Sequence, residues 1–122
     1  MELEHTMKEA LAARSDAVAL ACMDTRAGLL VGIEVRGDAL RDDVELAAFA
    51  AADLCAVPSQ GIEGDRDECD EAFVSSSRWV HAYARVPGRR ELVFVGLAPG
   101  DTNIALLRDW IRHVAESVRP AA

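Results

Sequence analysis

The chain is poor in cysteine, lysine and long apolar runs. Each shortage removes a class of protein. Three cysteines, Cys22, Cys55 and Cys69, stand far apart with no C-x-x-C spacing, so neither a disulfide framework nor a thiol redox pair is expected. They fit a reducing compartment, and Cys22 and Cys55, set in apolar segments, are expected to act as small core residues. Lysine occurs once, at Lys8, so the other twelve of the 13 basic residues are arginine. A GC-rich genome explains that bias as well as any function does, and no chemistry is drawn from it. Twenty-one acids give a net charge of −8, which argues against nucleic acid as a partner. No apolar run approaches the ~18 residues of a membrane-spanning helix. The opening Met1-Glu2-Leu3-Glu4-His5 is too charged for a secretory leader. A cytoplasmic protein is expected.

Catalytic constellations are also missing. His5, His81 and His113 fall in three separate segments with neither H-x-x-x-H nor Cys/His spacing, so no metal site is expected. Ser75-Ser76-Ser77 lacks the G-x-S-x-G elbow and sits where a hairpin turn is expected, as a solvated edge. There is no Walker loop and no G-x-G-x-x-G to cradle a phosphate. Asp65, Asp67 and Asp70 are spaced faintly like a calcium loop, but Cys69 occupies the fifth position and the glycine at the sixth is absent. Arg89-Arg90, at the tip of the last hairpin, reads either as an arginine finger for a nucleotide site or as the ordinary charge of a solvated turn. The expectation is no enzyme, no cofactor, no metal and no catalytic residue.

What remains is a chain well able to fold. At 122 residues with 51% hydrophobic content, one domain over residues 1–122 with its own core is expected. Charge is unevenly spread. Residues 1–58 carry eleven acids and five bases, residues 59–77 six acids and one arginine, and residues 78–122 seven arginines and four acids. An acidic loop over 59–71 therefore separates a mildly basic C-terminal part from the rest. Six acids within it should hold it extended by mutual repulsion.

Along the chain, Leu3, Met7, Ala10 and Leu11 recur at helical spacing and predict a helix over residues 2–14, ended by Ser15-Asp16. Two apolar runs, Ala17 to Met23 and Leu29 to Val35, flank a polar turn ending in Gly28 and predict a hairpin. Both are apolar at adjacent positions, so both faces of the sheet are expected to be covered. Ala72–Ser76, Trp79–Val86 and Glu91–Ala98 read as three more strands, with Pro87-Gly88 at a turn. In the middle one, bulky Trp79, His81, Tyr83 and Arg85 alternate with small Val80, Ala82, Ala84 and Val86, which would let a helix lie close on the small side. A final helix, capped by Asp101 or Thr102, carries the stripe Ile104, Leu107, Ile111, Val114 and Val118, widened by Trp110. Arg119 and Pro120 end it.

Between the hairpin and the acidic loop lies Asp43–Val57, a helix apolar on more than one side, with Asp42 or Asp43 as its cap and Pro58 as its stop. Leu46, Ala50, Leu54 and Val57, widened by Val44, Ala47 and Ala51, form a stripe expected to face a core. Glu45, Phe49, Ala52 and Ala56 form a second seam of small residues around one large aromatic, suited to close approach of another helix. Two readings fit. The helix is central to one domain and buried on all sides, or its second seam docks a partner or another copy.

The resulting order, α-β-β-α-β-β-β-α, predicts an α+β fold: a single five-stranded antiparallel sheet with helices on both faces. In that order, with Met23-Asp24 closing the first strand, the small-residue helix Leu46-Ala47-Ala48-Phe49-Ala50-Ala51, and Leu97-Ala98 followed by Asp101-Thr102-Asn103-Ile104-Ala105-Leu106-Leu107-Arg108, the chain resembles the profilin-like Roadblock/LC7 family, and its bacterial MglB-like members in the last helix. The resemblance runs from about residue 3 to 118. It implies a homodimer in which the central helices lie antiparallel and the third strands pair. On this sequence the interface would comprise Glu45, Phe49, Ala52 and Ala56 with Phe73, Val74 and Ser75 of the edge strand. Bacterial members often regulate or scaffold Ras-like small GTPases, so such a GTPase is the implied partner. A PAS- or GAF-like small-ligand sensor is the alternative; it would need an internal polar pocket where these strands carry Val, Leu and Ala.

Overall fold

In a computed structural model, which describes residues 2–14, 16–36, 42–46, 49–50, 70–75 and 77–118, the pattern of apolar residues becomes one sheet between helices. Helix α1 spans Glu2–Ala12, strand β1 Ala19–Asp24 and strand β2 Leu29–Val35. Helix α2 has residues 42–46 and 49–50 as its described part. Strands β3 (Glu71–Ser75), β4 (Trp79–Val86) and β5 (Arg89–Pro99) follow, and helix α3 covers Ile104–Ser117. The strands pair antiparallel throughout in the order β2-β1-β5-β4-β3, which leaves β2 and β3 at the two edges. The fold is the expected α+β arrangement.

Local chemistry sets the turns. Asp24 Oδ1 accepts hydrogen bonds from the Arg26 and Ala27 amides, both 3.0 Å, and Gly28 takes φ +67°, where a side chain would be strained. Pro87 and Gly88 make the two-residue turn between β4 and β5, with Val86 opposite Arg89. Arg89 and Arg90 therefore open β5. At the end of α1, the Arg36 guanidinium donates to the carbonyls of Leu11, Arg14 (2.9 Å) and Ala17 (2.9 Å). A cation thus ties the last turn of α1, through the Leu11 carbonyl, to the connection that follows it, through the carbonyls of Arg14 and Ala17. The helix stops at Ala12 rather than residue 14.

Strand alternation divides the interior in two. Leu20, Cys22, Val80, Ala82, Ala84, Leu92, Phe94 and Ala98 face α1 and α3, where Met7, Leu107, Ile111, Val114 and Ala115 meet them. The small side of β4 does receive α3, as its sequence predicts. Gly96 is the closest point: a Cβ there would lie 2.6 Å from the Trp110 ring, so the missing side chain makes room for the indole. Trp110 Nε1 then donates to the Ala10 carbonyl (3.0 Å), tying α3 to α1. The opposite face carries Ala19, Ala21, Met23, Tyr83, Val93, Val95 and Leu97, covered by Val44 of α2.

Three expectations are corrected. The N-cap of α3 is Asn103, whose Oδ1 accepts from the Leu106 amide (3.2 Å), not Asp101 or Thr102. Asp42 and Asp43 stand inside α2 rather than capping it. Strand β2 is not covered on both faces: Leu29 is 62% exposed and Val31 is also exposed, because β2 is an edge and its apolar run outlasts its cover. Pro58, Arg119 and Pro120, read as helix stops, lie outside the described residues.

Candidate interaction surface

Helix α2 shows which of its apolar sides serves the core. Val44 is buried, whereas Leu46 is 70% exposed, Phe49 47% exposed and Ala50 exposed. At a helical step of about 100°, Leu46, Phe49 and Ala50 lie on the side away from Val44. Among its described residues the expected core stripe is therefore turned: Leu46 and Ala50 join Phe49 outside and Val44 points in, while Ala47, Ala51, Leu54 and Val57 lie outside the described residues. The physical reason is fit. Val44 reaches a face already filled by Tyr83, Val93, Val95 and Leu97, and a helix apolar all round has no single stripe to fix its rotation. Glu45 is half-buried, while Asp42 and Asp43 are exposed. Ala52 and Ala56 lie outside the described residues.

The face that α2 covers ends at β3. The Arg85 amide donates to the Asp70 carbonyl (2.8 Å), and that bond fixes the alternation of the antiparallel ladder. Residues 72 and 74 then turn their backbone groups to β4, while Glu71, Phe73 and Ser75 turn theirs to the outer edge, where no described strand pairs with them. Val74 projects on the α2 face, 42% exposed, across from His81. The side chain of Phe73 goes the other way and packs on the core under α3, so its share of this edge is its backbone. Ser75 is exposed. Beside Val74, His81 sits with its ring 6.4 Å from that of Tyr83, and burial lowers its pKa. The Arg78 guanidinium lies 5.9 Å over the Trp79 ring.

A second cluster anchors the start of β3, and the sequence pattern gives no sign of it. Glu71 accepts from Arg108 (Nη2, 3.2 Å) and Arg112 (Nη2, 2.9 Å), both from α3. The hydrogen bond from Arg108 is the main cause that holds the Glu71 carboxyl below its usual range, with Arg112 acting in the same sense. Arg90 donates to Asp70 (2.6 Å), and the buried Arg85 lies 3.8 Å from the same carboxylate. The last two residues of the expected acidic loop are thus clamped by arginine, and Glu71 is already strand. Residues 59–69 lie outside the described residues. Exposed pairs of this kind contribute about 0–1 kcal/mol each, so the clamp's effect is to fix position more than to add stability.

The reactive groups are scattered. His5 pairs with Glu9 on α1 (3.0 Å), His81 lies on β4 and His113 on α3. Among the described residues no three His, Cys, Asp or Glu side chains gather as a metal site. The Cys22 thiol is buried and its pKa is pushed up to about 12 by desolvation, which leaves it unreactive. Cys55 and Cys69 lie outside the described residues. Arg89 pairs with Glu91 (3.1 Å) as Arg90 does with Asp70, so both arginines of the hairpin hold carboxylates. Among the described residues no helix is long and apolar enough to cross a membrane.

No protein-family model matches the sequence, and no curated protein matches it. Solved structures do. A Roadblock/LC7 domain from Streptomyces avermitilis superposes with a TM-score of 0.76 at 18% identity, covering 96% of this chain and 94% of that one. Myxococcus xanthus MglB gives a TM-score of 0.73 at 17% identity, over 95% and 90% of the two chains. MglC from Myxococcus xanthus gives 0.66 at 17%, over 94% of each. The fold of this chain is the Roadblock/LC7 fold.

Proposed function

We propose that the chain is a non-enzymatic, homodimeric regulator or scaffold for a Ras-like small GTPase, acting in the cytoplasm. The observation that carries this reading is the outward set of Leu46 and Phe49 on α2, lying over the same sheet face whose edge strand, β3, has no described strand beyond it at Phe73 and Ser75. Two copies would meet with α2 against α2 and β3 against β3. Glu45, Phe49, Val74 and Ser75 would contribute side chains, Phe73 its backbone, and Ala52 and Ala56 the small surface that lets the helices approach. Magnitudes favour using both elements. Burying the exposed parts of Leu46, Phe49 and Val74 yields about 1 kcal/mol each, less than the roughly 4–15 kcal/mol that association costs. Paired β3 backbones supply further hydrogen bonds and remove an edge that would otherwise aggregate. The GTPase part of the reading rests on the resemblance to bacterial Roadblock/LC7 proteins.

The test is binding of the purified chain to Ras-like GTPases from a bacterium that encodes it, each loaded with a GTP analogue or with GDP. The expected result is at least a tenfold preference for one nucleotide state. Equal binding to both, or to neither, contradicts the GTPase assignment and leaves the dimer to be judged separately. Phe49→Glu sorts the two roles of α2. A monomer places Phe49 between the copies, and an intact dimer that no longer binds the GTPase places it on the partner platform.

A further inference from the structure

The sheet face opposite α2 carries a second apolar surface that no described element covers. Between α1 and α3 runs an open trough of about 510 Å3, floored by Ala10, Ala13 and Trp110 and walled by Leu106. Leu106 is 52% exposed and the Trp110 ring is half-buried, although α3 already serves the core through Leu107, Ile111, Val114 and Ala115. Helix α3 thus has a second apolar seam, 106 and 110, four residues apart. The indole N–H is spent on the Ala10 carbonyl, so the trough presents the ring's apolar surface. Small Ala10 on the facing side of α1 and Ala13 just past its end leave room for a third helix to lie between two.

Charge selects the occupant. Glu9, Asp109, His113 and Arg14 line the trough; Arg14 reaches the Leu106 carbonyl (3.4 Å) and is ion-paired to Asp16 at 2.6 Å, and Glu9 meets His5 at 3.0 Å, so three carboxylates stand against one arginine. The rim is therefore net acidic. A second copy of this chain would bring an equally acidic rim, and its exposed α2 side carries Asp42 and Asp43. Like charges oppose both forms of self-docking. We infer that the α1–α3 trough is a docking groove for an amphipathic helix of another protein, with an apolar edge flanked by Arg or Lys. Leu106 and Trp110 anchor the apolar edge, and Glu9 and Asp109 meet the basic flanks. Helix α1, with 11 residues, is about 16 Å long, which matches about three turns of a partner helix. This surface is independent of the dimer reading, because it lies across the sheet from α2 and away from the β3 edge.

The probes are two labelled 18-residue amphipathic peptides with the same leucine stripe, one flanked by lysine and one by glutamate, titrated into the full chain by fluorescence anisotropy. The lysine peptide is expected to bind at least tenfold more tightly than the glutamate peptide, and to weaken as salt rises. Leu106→Gln and Asp109→Lys should each weaken it about fivefold or more, and Leu46→Gln on the opposite face should leave it unchanged. Amide shifts of α1 and α3 should follow the titration. Asp109 is exposed, so its variant keeps the test open should Leu106→Gln fail to fold. Equal affinity for the two peptides, no binding up to millimolar concentration, or a loss on Leu46→Gln as large as on Leu106→Gln would overturn the inference.

Discussion

The face of the sheet under α1 and α3 and the face under α2 are built from the same strands, yet they end differently at the surface. Under α1 and α3, Phe94, Leu20, Leu107 and Ile111 interlock, Gly96 makes room for Trp110, and Asn103, Arg36 and Trp110 satisfy helix ends and carbonyls. Under α2, Val44 closes the core while Leu46 and Phe49 stand outside it. The first face commits most of its apolar side chains to the core, with Leu106 and part of Trp110 left at the α1–α3 trough. The second holds more apolar surface than folding uses, and such surface is found where proteins associate. The contrast predicts that substitutions on the two faces separate stability from assembly.

The largest effect belongs to the closed face. Leu107→Ala leaves a cavity beneath α3 and should cost about 3–5 kcal/mol, read as a shift in the urea midpoint with an unchanged slope. Phe49→Glu, on the other face, should keep the far-UV circular dichroism of the folded chain but weaken self-association by about a hundredfold, read by concentration-dependent sedimentation. If the two variants lost stability equally, the faces would not differ as described. Asn103→Ala, which removes the cap of α3, should cost about 1 kcal/mol in the same urea experiment.

Acid should act on both faces, in sequence. Burial lowers the pKa of His81 from its ordinary 6.5, so the folded state favours the neutral ring. Its stabilising contribution is complete above pH 6.5 and declines as pH falls below that value. Glu71 is held below its ordinary 4.5 by Arg108 and Arg112, so its contribution is complete above that value and is lost as pH falls through the lower folded pKa. Thermal melts should therefore fall in two stages. His81→Gln should flatten the stage below pH 6.5 and Glu71→Gln the stage below pH 4.5, each changing stability by about 1 kcal/mol or less.

The sheet was legible because strands and helices write different periods. The alternation of Trp79 to Val86 and the stripe through Leu107, Ile111 and Val114 each pointed to the face that the fold uses. Three kinds of feature were not legible. The rotation of α2 was lost because nearly every side of it is apolar, so only the fit of Val44 against Tyr83 and Val95 decides which points inward. The cap of α3 was ambiguous because Asp101, Thr102 and Asn103 are all good capping residues, and the burial of Leu107 selects the third. The clamp on Glu71 joins residues 37 and 41 positions apart, a separation that no local pattern encodes. Of the candidate surface, the second seam points to Phe49, whereas the core stripe includes Leu46, which stands exposed.

The central claim is that the α2 face and the β3 edge complete themselves in a second copy. Sedimentation equilibrium of the purified chain tests it most directly, with Phe49→Glu run alongside at the same concentrations. The account predicts a species of twice the 13.1 kDa chain mass for the native sequence and a folded species of 13.1 kDa for the variant. A native chain that stays at 13.1 kDa up to high micromolar concentration would contradict it.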